Sequence, residues 1–341
     1  MKRFSKKEFT PKTSFTIVVP FRNEKENLPN LLHSISLLNY PKELVEVILV
    51  DDDSDDEFRI QNLEFSIQTV KNIRKSNSPK KDAIETAIQV AKNDWIITTD
   101  ADCLVQKNWL TNFDQYIQEN EVAMVASGVC YVPKNGFLSA FQNLDFLSLQ
   151  GATIGSFGIN QPFMCNGANF AYSKQFFKRL NGFQGNETIA SGDDVFLLQK
   201  AVSVAPKKVG FLLAKESIVA TKPVKTWNEL FQQRVRWASK STGYSSSYGK
   251  ILALAVFGGN LVWILSFLLW LTNVLDQNIF MLFVALKFLI DFILLYKTAN
   301  FFESKLKYVL ASNLLYSFFS VSVAVYSLFG NYSWKGRNFR K

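Results

Sequence analysis

The apolar positions of this chain fall into two regimes. Over about the first 250 residues, short apolar runs of strand length alternate with longer stretches of helical period, the rhythm of a sheet covered by helices. From residue 251 onward the apolar residues become nearly continuous. Three segments, 251–275, 279–298 and 308–330, are each long enough to cross a bilayer. Within the first regime, strands are expected over residues 15–20, 45–50, 65–70, 95–98 and 122–131. Helices are expected over 27–38, 79–91, 109–118 and 226–241, with Pro79 in the first turn of the second, where its missing N–H costs nothing, and 137–149 is apolar on nearly all sides, suited to docking on a membrane surface or a core. The fold class this predicts is α/β, a mainly parallel sheet flanked by helices and followed by membrane helices. The organisation is a basic segment at 1–13, an α/β domain at 14–245, a membrane region at 246–330 and a basic tail at 331–341.

Carboxylates stand where the strands end. Residues 95–98 run into Thr99-Asp100-Ala101-Asp102, residues 45–50 into Asp51-Asp52-Asp53-Ser54-Asp55, and residues 15–20 into Phe21-Arg22-Asn23-Glu24. Open α/β folds place ligands at the carboxyl ends of their parallel strands, so these residues share the expected active edge. Asp100 and Asp102 are two apart in an extended segment and project to one side. They can converge on one hard cation that prefers oxygen, Mg2+ or Mn2+, and such a cation can grip a diphosphate; on these residues alone an acidic turn is the alternative. No GxxxxGK[ST] loop or GxGxxG turn follows any strand, which leaves phosphate binding to a metal and its carboxylates.

Other residues offer two readings each. Lys80 and Lys81 open a helix near the same edge, either to meet phosphate or as solvated helix-start lysines. Asn166-Gly167-Ala168-Asn169 is a tight passage where backbone can approach a ligand, or an ordinary turn. A loop at 189–192 enters a helix beginning Asp193-Asp194, and Ser191 with Asp194 forms a capping-box pattern that by itself explains both residues. A helix amino terminus also favours a negative charge, as a general base requires. Gln233, Arg236 and Trp237 share one face of a helix and make a sugar and phosphate platform, with a basic helix seated on a bilayer as the competing explanation. The single histidine, His33, is read as structural.

Net charge is +9, but the basic residues lack the aromatic interleaving of a nucleic-acid reader, and no nucleic-acid partner is expected. Many gather ahead of the apolar segments: Lys207, Lys208, Lys215, Lys222, Lys225, Arg234, Arg236, Lys240 and Lys250. That belt suits an anionic cytoplasmic membrane face and the phosphates of a substrate. Cys103, Cys130 and Cys165 are odd in number and lack metal-ligand spacing, as packed thiols of a cytosolic domain would. No apolar run follows the basic start, so no signal peptide or amino-terminal anchor is expected. Three full crossings from a cytosolic domain would place the basic tail outside, against the positive-inside tendency. Segment 251–275, interrupted by Gly258-Gly259-Asn260, is therefore expected to lie along or re-enter the membrane. Lys287 and Asp291, four apart in the second segment, are expected to neutralise one another.

Taken in order, Val19-Pro20-Phe21-Arg22-Asn23-Glu24, Val50-Asp51-Asp52-Asp53-Ser54, Thr99-Asp100-Ala101-Asp102, Gly192-Asp193-Asp194 and Gln233-Arg234-Val235-Arg236-Trp237 resemble the family 2 glycosyltransferases. The resemblance covers nearly the whole chain and is closest to the membrane-embedded branch of cellulose, chitin, hyaluronan and poly-N-acetylglucosamine synthases. It implies a GT-A fold and an inverting transfer from a nucleotide-diphosphate sugar, UDP-linked in most relatives, to a glycan or lipid acceptor. By position it places Pro20 and Glu24 beside the nucleotide and Asp52, with Asp51 as its alternate, on the base. Lys80 falls where the family often has a glycine-lysine pair, here with Pro79 in place of the glycine. Asp100 and Asp102 match the metal-binding DxD pair, Asp194 the general base of the "ED" motif with Asp193 in place of its Glu, and Gln233, Arg236 and Trp237 the QxxRW signature beside the diphosphate and acceptor. Many processive relatives carry an amino-terminal membrane helix, so the expectation is a smaller channel or a start internal to a longer protein. The location implied is the bacterial inner membrane, multi-pass and contacting its lipids, with the catalytic domain cytoplasmic. Single-sugar transfer to a lipid, a glycoside hydrolase and a non-catalytic membrane sugar-binding or transport protein are the alternatives.

Overall fold

In the computed structural model, which describes residue 4 and residues 7–56, 65–186, 191–334 and 337–339, the chain divides into two compact units. Met1–Val132 with Thr153–Lys222 forms the first, and Pro133–Ala152 with Pro223–Lys341 the second. Residues 189 and 190, residues 1–3, 5 and 6 of the basic start and residues 335, 336, 340 and 341 of the basic tail lie outside the described residues.

The first unit runs β1 (Phe15–Phe21), α1 (Leu28–Ser36), β2 (Val45–Asp51), β3 (Ser66–Lys71), α2 (Pro79–Val90), β4 (Trp95–Thr98), β5 (Cys103–Leu104), α3 (Trp109–Asn120), β6 (Met124–Ser127) and β7 (Val129–Tyr131). After α4 (Phe137–Gly158), which the division cuts, come β8 (Phe170–Ser173), α5 (Lys174–Arg179), α6 (Asp193–Val204), β9 (Val209–Leu212) and β10 (Val219–Thr221). Seven strands form one sheet in the order β3-β2-β1-β4-β8-β6-β9. It is mixed and mainly parallel: only β8 runs against its neighbours β4 and β6. Ile17, Val18, Val19, Val47, Ile48 and Leu49 are all wholly buried, as continuous rather than alternating apolar runs require when both faces of a sheet are covered. Each such side chain contributes about 1.5–3 kcal/mol on burial. Phe21 pairs with Asp51 and Val18 with Thr98, so the carboxyl ends of β1, β2 and β4 open on one edge.

Two expectations are corrected in this unit. The single strand expected over 122–131 is two: β6 belongs to the large sheet, while β7 joins β5 and β10 in a second sheet, ordered β5-β10-β7. The crossing falls at Gly128, whose carbonyl accepts from the buried Asn169 amide at 2.7 Å; the same amide donates to Ser217 O at 2.8 Å. An uncharged run carries no sign of changing sheets. The capping box expected of Ser191 and Asp194 does not form, because the residue capping α6 is Gly192, in a left-handed conformation (φ 87°) without a side-chain cap. A reciprocal box forms instead at the next helix, where Glu229 N donates to Thr226 Oγ1 at 3.2 Å and Thr226 N to Glu229 Oε2 at 3.3 Å.

That helix, α7 (Trp227–Ala238), belongs to the second unit with the first part of α4, α8 (Ser247–Leu271), α9 (Gln277–Phe302), α10 (Val309–Phe329) and the hairpin β11 (Tyr332–Trp334) and β12 (Arg337–Phe339). Phe141 of α4 packs on Trp227 of α7 and Phe319 of α10, with ring centroids 5.1 and 5.2 Å away. α8, α9 and α10 are long and apolar enough to cross a membrane, and Ile251, Leu254, Leu282, Ile290 and Leu310 face outward from them. α8 passes unbroken through Gly258, Gly259 and Asn260, contrary to the expected interruption. No group lies where a β-carbon on either glycine would fall, and Asn260 bonds within the bundle, to Val256 O at 2.8 Å and from Ser317 Oγ at 3.0 Å. Lys287 and Asp291 form the expected pair at 2.6 Å, and Asn313 of α10 donates to the same Asp291 oxygen at 2.6 Å.

Candidate active site

Beyond β4 the chain turns tightly, with Cys103 N donating to Asp100 O at 3.1 Å. That turn brings one carboxylate oxygen each from Asp100 and Asp102, and Cys103 Sγ, within 4.8 Å of one another. β5 then pairs Cys103 with Thr221 of β10, whose hydroxyl lies 3.2 Å from Asp102 Oδ2. Burial first, and then Asp102 and Asp100, push the Cys103 thiol well above its ordinary pKa. The group therefore presents two carboxylates and a protonated thiol, a donor set that fits a hard divalent cation held by oxygen.

Lys80 enters this cluster from the first turn of α2. Its ammonium is 2.6 Å from Asp100 Oδ1 and 3.6 Å from Asp193 Oδ2. Burial works against its charge, but the carboxylates of Asp100 and Asp193, with Asp194 behind them, raise its pKa well above the ordinary lysine value. Lys81, its equal in sequence, points elsewhere: it is buried, donates to Asn186 O at 2.6 Å and lies over the Phe196 ring.

Asp193 and Asp194 open α6, and Asp194 is clasped by backbone. Its Oδ2 accepts from Gly167 N at 2.8 Å and its Oδ1 from Val195 N at 2.7 Å. Gly167 is tied in turn to the sheet, its carbonyl accepting from Thr98 Oγ1 of β4 at 2.6 Å. A β-carbon on Gly167 would stand 2.9 Å from Asp193 Oδ2 and 3.4 Å from both Asp194 Cβ and Lys80 Nζ. The tight passage read at residues 166–169 is thus a close approach of backbone to three charged side chains. Motifs spread from residue 80 to residue 194 meet here within a few hydrogen bonds.

A second group lies along the edge. Asp52 is buried; its Oδ1 accepts from Asn72 Nδ2 at 2.7 Å and is 3.5 Å from Arg74 Nη1. Asp51 caps its own turn, accepting from Ser54 N at 3.0 Å, and Asp53 follows in a left-handed conformation (φ 64°). Pro20 sits within β1 opposite Val50. Glu24 accepts from Asn27 Nδ2, whose Oδ1 accepts from Lys222.

Gln233, Arg236 and Trp237 belong to α7 in the second unit. Their neighbour Arg234 links Gln233 and Trp237: it is buried, pairs with the buried Asp145 at 2.5 Å, donates to Gln233 Oε1 and lies 4.2 Å from the Trp237 ring centroid. Phe146 packs on the same indole, its ring centroid 6.0 Å away. Sequence reasoning counted Arg234 in the basic belt facing a membrane or phosphates, but the residue is buried against Asp145. The same reasoning missed Arg74 and Asn72, whose position just beyond β3 matches that of the acidic loops, and Thr221, which carries no sequence signal.

A group of two carboxylates that could hold a cation, an ammonium and a second acid pair thus gather at the carboxyl edge of a mixed sheet. Residues 16–180 match the model of "Glycosyl transferase family 2", a little under half of the chain. This segment is similar to that family, and the chain carries a GT-A-like mixed sheet followed by three long apolar helices. Glycosyltransferase AglE of Haloferax volcanii is 22% identical over 231 residues, 65% of this chain and 70% of that protein. Human polypeptide N-acetylgalactosaminyltransferase 10 is 30% identical over 135 residues, and the match spans 38% of this chain but only 22% of the human enzyme. Among solved structures, the mannosyltransferase PcManGT from Pyrobaculum calidifontis, in complex with GDP-Man and Mn2+, superposes with a TM-score of 0.52 at 15% identity, over 95% of this chain and 91% of that one. None of the three is named as a cellulose or chitin synthase.

Proposed function

We propose that this protein transfers a sugar, with inversion, from a nucleotide-diphosphate sugar to a growing polysaccharide or glycolipid acceptor at a membrane, with a UDP-sugar as the leading donor. The observation that carries this reading is the meeting of Asp100, Asp102, Lys80, Asp193 and Asp194 at one sheet edge. Asp100 and Asp102 would hold Mg2+ or Mn2+. When bound, such a cation supplies charge neutralisation to the departing diphosphate.

The chain's own residues do the rest. Asp194, held by Gly167 N and Val195 N, takes the proton of the acceptor hydroxyl as that oxygen bonds to the anomeric carbon. The bond from that carbon to the diphosphate breaks in the same displacement, so the configuration inverts and the leaving group departs with the electron pair. Lys80, beside Asp100, supplies a positive charge to that leaving group. Pro20, Glu24, Asp51 and Asp52 line the nucleotide end, with Arg74 and Asn72 fixing the Asp52 carboxylate. The family resemblance assigns Gln233, Arg236 and Trp237 to the diphosphate and acceptor. The three apolar helices support a membrane-bound acceptor, with the catalytic unit on the cytoplasmic side of a bacterial inner membrane.

A second reading keeps the same donor chemistry and transfers one sugar to a lipid acceptor. Neither AglE nor PcManGT is named as a polymer synthase.

The test is nucleotide-diphosphate release by the purified, detergent-solubilised protein against a panel of nucleotide sugars with Mn2+ or Mg2+. Release with one donor, abolished in Asp194→Asn, is the expected result, and product length separates polymer from single-sugar transfer. Equal turnover by Asp194→Asn would remove the general base from this account.

A further inference from the structure

The Lys80 ammonium occupies one of the two carboxylates expected to hold the cation. It lies 2.6 Å from Asp100 Oδ1, and with a side chain only 20% exposed it is not a surface lysine that drifts aside in solvent. A divalent cation and an ammonium cannot share that oxygen at contact distance without strong like-charge repulsion. One side of the site offers the lysine another partner: Asp193 Oδ2 is 3.6 Å from the same nitrogen, and the bare α-carbon of Gly167 leaves the space between open. A lysine that gives up Asp100 therefore keeps a carboxylate.

Resting on the transferase reading above, we infer that Lys80 is a resident cation that competes with the divalent metal for Asp100 and is handed to Asp193 when the metal enters. The exchange makes Lys80 a positioning residue of two motifs at once. Without metal it holds Asp100 against the first turn of α2. With metal bound, its charge rests on the Asp193-Asp194 turn, so loading of the cation and bracing of the proposed base become one event. The two carboxylates are unequal in this scheme. Asp102 is braced by Thr221, while Asp100 joins the metal only on displacement of the lysine.

The experiment is a titration of the purified full chain with Mn2+ alone, following free Mn2+ by electron paramagnetic resonance. Wild type is compared with Lys80→Met, Lys80→Arg, Asp100→Asn and the double variant Lys80→Met/Asp100→Asn. Removing the ammonium should tighten Mn2+ binding about tenfold, the size of a like-charge term acting over a few ångströms in a largely hydrated site. Lys80→Arg, which keeps the charge and guards against a folding artefact, should bind no more tightly than wild type. In the Asp100→Asn background, Lys80→Met should bring no gain, because the contested oxygen is gone. Equal Mn2+ affinity in wild type and Lys80→Met overturns the competition and leaves the transferase reading standing. No Mn2+ uptake by either protein overturns both the competition and the metal assignment, and the donor-panel assay then judges the transferase on its own.

Discussion

Gly167→Ala tests whether the Asp193-Asp194 turn is held as tightly as its contacts imply. The new β-carbon would stand 2.9 Å from Asp193 Oδ2, where carbon and oxygen ordinarily meet no closer than about 3.4 Å, so the carboxylate must retreat by about half an ångström. The backbone itself raises no objection, since Gly167 is not among the residues with positive φ. The strain is purely steric, and comparable overpacking costs about 1–3 kcal/mol of stability. Catalysis is more exposed than folding. The same glycine donates to Asp194 Oδ2, and misplacing a reacting group by about 1 Å costs on the order of a hundredfold in rate, so a fall in kcat of about 10- to 100-fold is expected. Gly155→Ala is the control: it lies in α4 with nothing within 4 Å of its would-be β-carbon, and should leave kcat unchanged while gaining up to about 1 kcal/mol of helix stability. Nucleotide-diphosphate release gives kcat, and the unfolding midpoint in detergent gives stability. Wild-type turnover by Gly167→Ala would refute the idea that the turn is sterically clasped. So would a rate loss matched by an equal loss of folded protein.

Three further outcomes are expected. Thr221→Val removes the hydroxyl 3.2 Å from Asp102 Oδ2 and should weaken Mn2+ binding by about tenfold, as loss of an outer partner of a metal ligand does; unchanged affinity would show that Asp102 needs no brace. Arg234→Met strands the buried Asp145 carboxylate and should cost about 3–5 kcal/mol in detergent unfolding, whereas the joint Asp145→Leu/Arg234→Met should recover most of it; equal losses would mean that packing and not charge decides. Burial pushes the Cys130 thiol from 9.0 to about 11. Below about pH 9 both folded and unfolded chains keep this proton; above it the unfolded chain releases it first, so stability falls as pH rises from 9 to 11. Cys130→Ala should flatten that decline, and an identical slope in both proteins would remove Cys130 as its source.

The strands and helices of the first unit were legible because their patterns are local. A run such as Ile17-Val18-Val19 or Val47-Ile48-Leu49 declares a strand covered on both faces, and the acids beyond β2 and β4 declare the edge. What local patterns could not carry was the choice between alternatives that depend on distant partners. Lys80 and Lys81 are the same residue side by side, and only the fold sends one to Asp100 and the other to Asn186. Ser191 and Asp194 have the spacing of a capping box, yet Gly192 turns left-handed and frees Asp194 to reach Gly167, which lies 27 residues away. Glycines misled in the opposite sense at Gly258 and Gly259, where a helix with all its backbone bonds in place simply absorbs them.

The pairing of β5 with β10 also sets an order in time. Cys103 has Thr221 as its ladder partner and Leu104 has Ala220, so the turn carrying Asp100 and Asp102 stays unfinished until the ribosome has made residue 221. β1, β2, β3 and β4 can assemble from the growing chain long before that, since they pair only among themselves and with β8. α8, the first of the long apolar helices, begins at Ser247, and at synthesis rates of about 5–20 residues per second it follows within a few seconds. The nascent protein therefore completes its acidic turn almost as its first apolar helix is made. Little time separates a competent site from the segment that would carry it to a bilayer.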